Sequence, residues 1–269
     1  MGSLIPVLVP LETGGEGGFV PPGLEDFEFN GGFIPGVDWF NKPLVQALIS
    51  VIIILAFWLI ASRRLKVVPG KGQFVSEFLY SFIRNGVARD TIGHNWKPYF
   101  PYLLGLFCFI WVNNLFGLFP VFMFPTFSNI GYAWGLALLS WIIYNAAGVK
   151  KHGLMYFKNS VLPAGVPLWL APVIIPVEAL SNFIIRPITL ALRLFGNLLG
   201  GHLVVLVFVV GGTYLLTQAD GILLNAAGGF TLLFTFAIFA LELLVVSLQA
   251  YIFTVLTASY VASATADEH

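Results

Sequence analysis

The chain has 269 residues, of which 58% are hydrophobic and only 10% are charged, with no net charge. A water-soluble domain of this size could not cover so much apolar surface with so few charges. An ordinary soluble enzyme, a disordered chain and a coiled coil are therefore excluded, and the absence of a basic patch excludes a nucleic-acid-binding protein. The single cysteine, Cys108, excludes a disulfide framework. The composition predicts an all-α polytopic membrane protein.

In the first third of the chain, acidic and basic residues lie in different segments. Residues 1–42 carry six acids and one base, and we interpret them as an irregular acidic arm. Residues 43–62 are uncharged and long enough for a first membrane-spanning helix. Residues 63–97 hold seven bases and two acids, and cytoplasmic loops are enriched in Lys and Arg, so this side is predicted to be inside and the N-terminus outside. Within it, residues 73–92 are predicted to form an amphipathic helix at the inner interface.

The remaining two thirds consist of long uncharged stretches divided by proline, glycine or lysine. Two segments near the C-terminus, 168–218 and 221–264, are far longer than one bilayer crossing, so each must tilt, break or lie along the membrane. In chain order we predict a transmembrane hairpin at 98–149 (helices about 100–119 and 130–149), a basic inner loop at 150–167, two long tilted helices at 168–266, and an inner tail at 267–269.

Five ionisable residues fall inside the long apolar segments, where a charge costs roughly 3 kcal/mol or more. They are Glu178, Arg186, Arg193, His202 and Glu242. On a helical wheel of 100° per residue, the polar and small residues of the first segment share one face with Arg193, and His202 points the opposite way. That face comprises Asn182, Arg186, Thr189, Asn197 and Gly200, with Glu178 at its edge. On the last segment Glu242, Gln249 and Tyr260 form a single polar stripe.

Structural roles compete with functional ones at most of these positions. The polar stripe around Asn197 and Thr189 is also typical of contacts between membrane helices. Arg186 lies near the inner end of its segment, where its side chain could reach the lipid headgroups. Glu178 lies near a helix start, where its negative charge would be stabilised by the helix dipole. Arg193 lies roughly 10 Å deeper along the helix. His94, His152 and His269 are expected to be solvated, and we find no metal-ligand spacing or nucleotide motif, so no metal or cofactor is expected.

The chemistry that these groups allow is proton handling. A carboxylate, an imidazole and an amide on facing helices can pass protons through water. An arginine does not lose its proton at any accessible pH. In an apolar wall, Arg193 would be a fixed positive charge that blocks proton leakage and attracts a carboxylate.

Three ordered elements are similar to those of a known family. One is the stretch from Arg186 to His202, RPITLALRLFGNLLGGH; another is Asn114 to Pro120, NLFGLFP; the third is Leu248 to Tyr260, LQAYIFTVLTASY. Together they resemble subunit a of the F-type ATP synthase. The resemblance spans about 150 residues in the family's order and spacing.

This resemblance implies the stator of a rotary proton channel, whose two long tilted helices pack against a ring of c subunits and which assembles with b-type peripheral stalk subunits. Arg193 matches the family's essential arginine. The outer half-channel residues would be Asn197, His202, Glu242 and Gln249, with Asn114 associated, and Glu178 would belong to the inner half-channel. Secondary candidates are Arg186, Asn182, Thr189 and Tyr260.

Two departures from the family pattern affect individual roles. Many bacterial members have Glu where His202 stands and His where Glu242 stands, so the pair is exchanged here. Glu178 lies nine residues before Pro187, where many relatives have eight, which leaves its facing open.

The expected location is a bacterial plasma membrane, with the inner mitochondrial membrane or thylakoid as alternatives. A stand-alone ion-coupled transporter or channel, or an intramembrane hydrolase, would be the rival functions.

Overall fold

The computed structural model describes residue 23 and residues 41–63, 66–119, 126–162, 170–218 and 221–266. Every regular element in these ranges is helical. Five helices are long and apolar enough to cross a membrane: Lys42–Ser62, Phe100–Leu118, Ile130–His152, Ala171–Thr217 and Ile222–Ala264. The predicted all-α polytopic membrane class is confirmed. Most of the acidic arm, the turn from Pro120 to Pro125 and the tail at 267–269 lie outside the described residues.

The described residues before the hairpin turn contain helices α1 to α4. Helix α1 (Lys42–Ser62) begins with Pro43 in its first turn, and its N-cap Asn41 accepts a hydrogen bond from the backbone N–H of Leu44 at 3.2 Å. Helix α2 (Lys71–Ile83) continues through a π-helical segment, Arg84–Arg89, into the single turn α3 (Asp90–Ile92). Helix α4 (Phe100–Leu118) follows. These helices position Asn114 near the end of α4.

The basic segment after the hairpin is more helical than expected. Helix α5 (Ile130–His152) extends past residue 149, and α6 (Met155–Val161) occupies part of the predicted loop. Lys150 and Lys151 therefore lie in the last turn of α5, where cations interact favourably with the helix dipole. The Nζ of Lys151 also donates to the carbonyl of Thr265 at 2.6 Å, so the basic residues join the C-terminal ends of two helices.

The penultimate span contains an irregular segment. Helix α7 (Ala171–Ala179) runs through π-helical Leu180–Ile185 into α8 (Arg186–Thr217). Pro187 lacks a backbone N–H, so the carbonyl of Phe183, four residues earlier, has no α-helical donor. A wider π turn is a common response to such a defect.

The last two spans form a long antiparallel pair. Gly221 immediately precedes α9 (Ile222–Ala264). Its φ of 131° is a backbone conformation that residues other than glycine rarely adopt. The 43 residues of α9 extend about 65 Å, roughly twice the hydrocarbon thickness of about 30 Å. Helix α9 therefore cannot cross the membrane upright.

The core lies where α8 and α9 pack against α4 and α5. Its fully buried side chains include Leu103 and Ile110 of α4, Leu194 of α8 and Phe253 of α9. By contrast, apolar residues of α1 such as Ile52 are exposed. Apolar side chains on the outside and a close-packed interior are what a protein in lipid requires.

Gly228 allows the distal ends of α8 and α9 to approach closely. A Cβ at this position would lie 2.9 Å from the backbone nitrogen of Leu216 and 3.0 Å from the carbonyl oxygen of Gly212. Because backbone atoms cannot move aside, we expect Gly228→Ala to separate the helices and cost about 1–3 kcal/mol.

The matched control is Gly229→Ala, since a Cβ there meets no atom within 4 Å. The measurement is thermal unfolding of the purified complex in detergent. Gly228→Ala should unfold at a lower temperature than Gly229→Ala, and equal temperatures would contradict this account of the contact.

Candidate functional site

Arg193 lies on an exposed stripe of α8. Thr189, Arg193, Gly196 and Gly200 recur at helical spacing and are all exposed. A Cβ on either glycine would meet no atom within 4 Å, so the surface beside Arg193 is shallow and open. Within the described residues, Arg193 makes no hydrogen bond and no ion pair. An unpaired guanidinium on an otherwise apolar membrane helix is costly unless it meets an anion or water.

Asn197 and Gln249 join α8 to α9 directly behind this stripe. The Nδ2 of Asn197 donates to Oε1 of Gln249 at 3.2 Å. Asn197 is half-buried, whereas Gln249 is only 3% exposed. The amide pair therefore connects the exposed Arg193 face with the interior of the bundle.

Glu242 lies further along the same helix pair. It is 6% exposed, and its carboxylate packs against α8 at Gly201, where a Cβ would overlap it. His202, the next residue of α8, is half-buried. The fully buried Asn114 of α4 donates from Nδ2 to the carbonyl of Val246 on α9, a long contact of 3.5 Å. A carboxyl, an imidazole and three amides thus occupy one region. The carboxyl and the imidazole can exchange protons, and the amides can hydrogen-bond the water that carries them.

Glu178 occupies a second polar region, a cavity of about 280 Å³. The Nδ2 of Asn182 donates to Oε2 of Glu178 at 3.3 Å and to the carbonyl of Ser160 at 2.7 Å. The guanidinium of Arg186 lies 4.9 Å from the centre of the Tyr260 ring, a cation–π contact. The cavity lining consists of His152, Tyr156, Asn159, Ser160, Glu178, Asn182, Arg186, Ser263, Ala264 and Ala266.

The antiparallel register orders these groups along the helix pair. Arg186 is level with Tyr260, Asn197 with Gln249, and Gly201 with Glu242. Glu242 and the cavity residue Ser263 are 21 positions apart on α9, which corresponds to about 30 Å. Arg193 stands between Arg186 and Asn197, and so between the two polar regions.

The helical wheel placed too many residues on one face. Thr189 and Gly200 are exposed with Arg193, whereas Asn182 and Arg186 turn into the Glu178 cavity. The π turn at Leu180–Ile185 rotates the side chains that precede it relative to those of α8. The long Arg186 side chain, near the start of α8, points back toward the preceding turn.

Two features of the site were not found from the sequence. Gly201 makes room for Glu242, which only the helix register reveals. His152, expected to be solvated, lies half-buried in the last turn of α5 and lines the Glu178 cavity. The three consecutive basic and histidine positions at 150–152 suggested a loop, whereas α5 continues through them and turns His152 inward.

Comparison with known proteins places the whole membrane part of the chain in one family. The sequence profile of the family described as ATP synthase A chain matches residues 44–262. The chain is 42% identical to the ATP synthase subunit a of Nocardioides sp., covering 94% of this chain and 95% of that protein. It is 42% identical to that of Pseudarthrobacter chlorophenolicus, covering 99% and 100%, and 39% identical to that of Streptomyces lividans, covering 94% and 90%. The chain belongs to the ATP synthase A chain family.

Proposed function

We propose that this chain is the stator subunit of the membrane sector of a proton-translocating ATP synthase, with Arg193 as the charge that separates two proton half-channels. The order of the polar groups along α8 and α9 is the single observation that supports this assignment of residues. Two polar regions, one around Glu242 and one around Glu178, lie on either side of the exposed Arg193, which has no partner in the part of the chain that the structure describes. In the proposed mechanism the residues of this chain only relay protons and hold a fixed charge, so the chain has no catalytic site of its own.

The outer half-channel comprises Glu242, His202, Asn197 and Gln249. A proton entering here neutralises a carboxylate on the adjacent c-ring, which faces the exposed stripe of α8. The neutral carboxyl can then rotate into lipid, because carrying it charged would incur a large desolvation cost. Asn114 supports this region from α4 through its contact with Val246.

The inner half-channel is the cavity that contains Glu178. After nearly a full turn of the ring, the carboxyl reaches this cavity and releases its proton. The positive charge of Arg193 favours the deprotonated carboxylate as it passes from one half-channel to the other. Each proton that crosses contributes about 2.3 kcal/mol per 100 mV of membrane potential.

The basic segments of this chain set its proposed orientation. Lys and Arg cluster after α1 and at the end of α5, and such clusters stay on the cytoplasmic side. The N-terminus is then outside and the C-terminus inside, in a bacterial plasma membrane. The exposed apolar face of α1, including Ile52 and Leu59, remains for lipid and for b-type stalk subunits.

Reconstitution separates this function from that of a stand-alone transporter. The subunit is incorporated into vesicles alone, and in parallel as part of the assembled synthase, and proton uptake is recorded with a pH-sensitive dye. We expect ATP-driven uptake by the synthase and no ion transport by the subunit alone. Ion-coupled transport by the isolated subunit would contradict the stator assignment.

A further inference from the structure

Helix α1 turns its polar residues inward. Gln46 and Ser50 lie four positions apart, on one face of the helix, and are 2% and 0% exposed. The apolar residues Ile52, Leu55 and Leu59 are 65%, 57% and 61% exposed. Two hydrogen-bonding side chains of an otherwise apolar helix are thus buried against α4 and the short helix Thr126–Ser128.

A hydrogen-bonded cluster links this face of α1 to α4. The Nδ2 of Asn113 donates to Oγ of Ser50 at 2.7 Å and to the carbonyl of Phe109 at 2.8 Å. The hydroxyl of Thr126 lies 3.5 Å from Oε1 of Gln46. Asn113 is fully buried and is followed by Asn114, which contacts α9. The two adjacent asparagines of α4 therefore contact α1 through Asn113 and α9 through Asn114.

Four polar atoms of Gln46 and Asn113 in this cluster, of the neighbouring Asn114 and of Gln249 on α9 have no partner among the described residues. They are Nε2 of Gln46, Oδ1 of Asn113, Oδ1 of Asn114 and Nε2 of Gln249. Each side chain is at least nine-tenths buried, and an unsatisfied buried polar group costs about 1–3 kcal/mol. Two of the atoms are donors and two are acceptors, and water can satisfy both kinds.

We propose that ordered water bridges these atoms, and that Gln46, Ser50 and Asn113 form an additional hydrated branch of the outer half-channel. The branch would run from the N-terminal end of α1 through Asn114 to Gln249 and Glu242. It rests on the proposed function, which supplies the outer orientation of that end of α1. A dry contact between helices would use the same residue types but would leave these four buried amide atoms without partners among the residues that the structure describes.

Silver ion is a suitable probe, because it enters water-filled passages and binds thiols. In a Cys108→Ala background, we would prepare Ser50→Cys and, as the matched control, Ile52→Cys. Both positions are at nearly the same depth in α1, but Ile52 faces outward. Asn114→Cys reports on the outer half-channel itself. ATP-driven acidification of vesicles is recorded before and after Ag⁺ is added to both sides.

We expect Ag⁺ to abolish most acidification in assembled Ser50→Cys complexes and to leave Ile52→Cys unchanged. If Ser50→Cys does not assemble, Gln46→Cys gives the same test one turn away. Insensitive Ser50→Cys with sensitive Asn114→Cys overturns the branch and leaves the proposed function standing. Insensitivity of both overturns the branch and the outer half-channel together. Equal inhibition of Ser50→Cys and Ile52→Cys also overturns the branch, because the effect would not follow the buried face.

Discussion

Membranes that carry Arg193→Ala are expected to lose ATP-driven proton pumping completely while the synthase remains assembled. Arg193 is exposed and unpaired within the described residues, so truncating its side chain removes no internal contact and should not unfold the subunit. Passive proton flux through membranes stripped of the ATPase sector should persist, because the fixed charge between the two polar regions is gone. Both rates are measured in inverted vesicles with a pH-sensitive dye.

Other variants at this position separate charge from shape. Arg193→Gln keeps a polar side chain without charge and should also lose coupling. Arg193→Lys keeps a charge but lacks the planar fork and can lose its proton, so it too should fail to replace arginine. Leu192→Ala, at the neighbouring exposed position, is the control and should retain most pumping. Unchanged pumping in Arg193→Ala and Arg193→Gln would make Arg193 a structural charge.

Gly201→Ala is expected to lower proton flux about tenfold, because a methyl group there would push the Glu242 carboxylate away from its place against α8, and misplacing a reacting group lowers its rate. Because only the end of the Glu242 side chain has to shift, the substitution should move the carboxylate without unfolding the subunit. ATP-driven acidification and passive flux would both fall, in contrast to the Arg193 variants. Gly105→Ala is the matched control, because a Cβ there meets no atom within 4 Å.

A second substitution tests whether the effect acts through Glu242. Glu242→Asp withdraws the carboxylate by one methylene and should restore part of the flux of Gly201→Ala. The four rates form a double-mutant cycle, whose interaction term should be clearly different from zero for residues in contact. Additive losses would show that Gly201 acts on something other than the carboxylate.

The proposed half-channel residues differ in how far the sequence could identify them. Arg193 stands out because a base deep in an apolar segment has no ordinary structural reason to be there. Glu242 and Gln249 follow from their spacing of seven on one helix. Their actual partners, Gly201 and Asn197, depend on how α8 and α9 slide past each other, which no local pattern specifies.

Around Glu178, helical periodicity no longer predicts the face of the helix on which a side chain lies. An ideal wheel extrapolates across residues 178–193 with a constant 100° step, but the π turn before Pro187 breaks that step. The cavity also takes residues from α5, α6 and the end of α9. Such a convergence of distant segments is a property of packing.

By itself, the sequence determined the membrane class, the long apolar helices and the isolated charge of Arg193. These follow from composition and from the cost of charge in lipid, which act on each segment independently. Only the tertiary structure decided which distant residues meet: Glu242 with Gly201, Asn182 with Ser160, and Ser50 with Asn113. The reason is physical, since contacts between helices depend on their register and rotation, and those are set by the packing of the whole bundle.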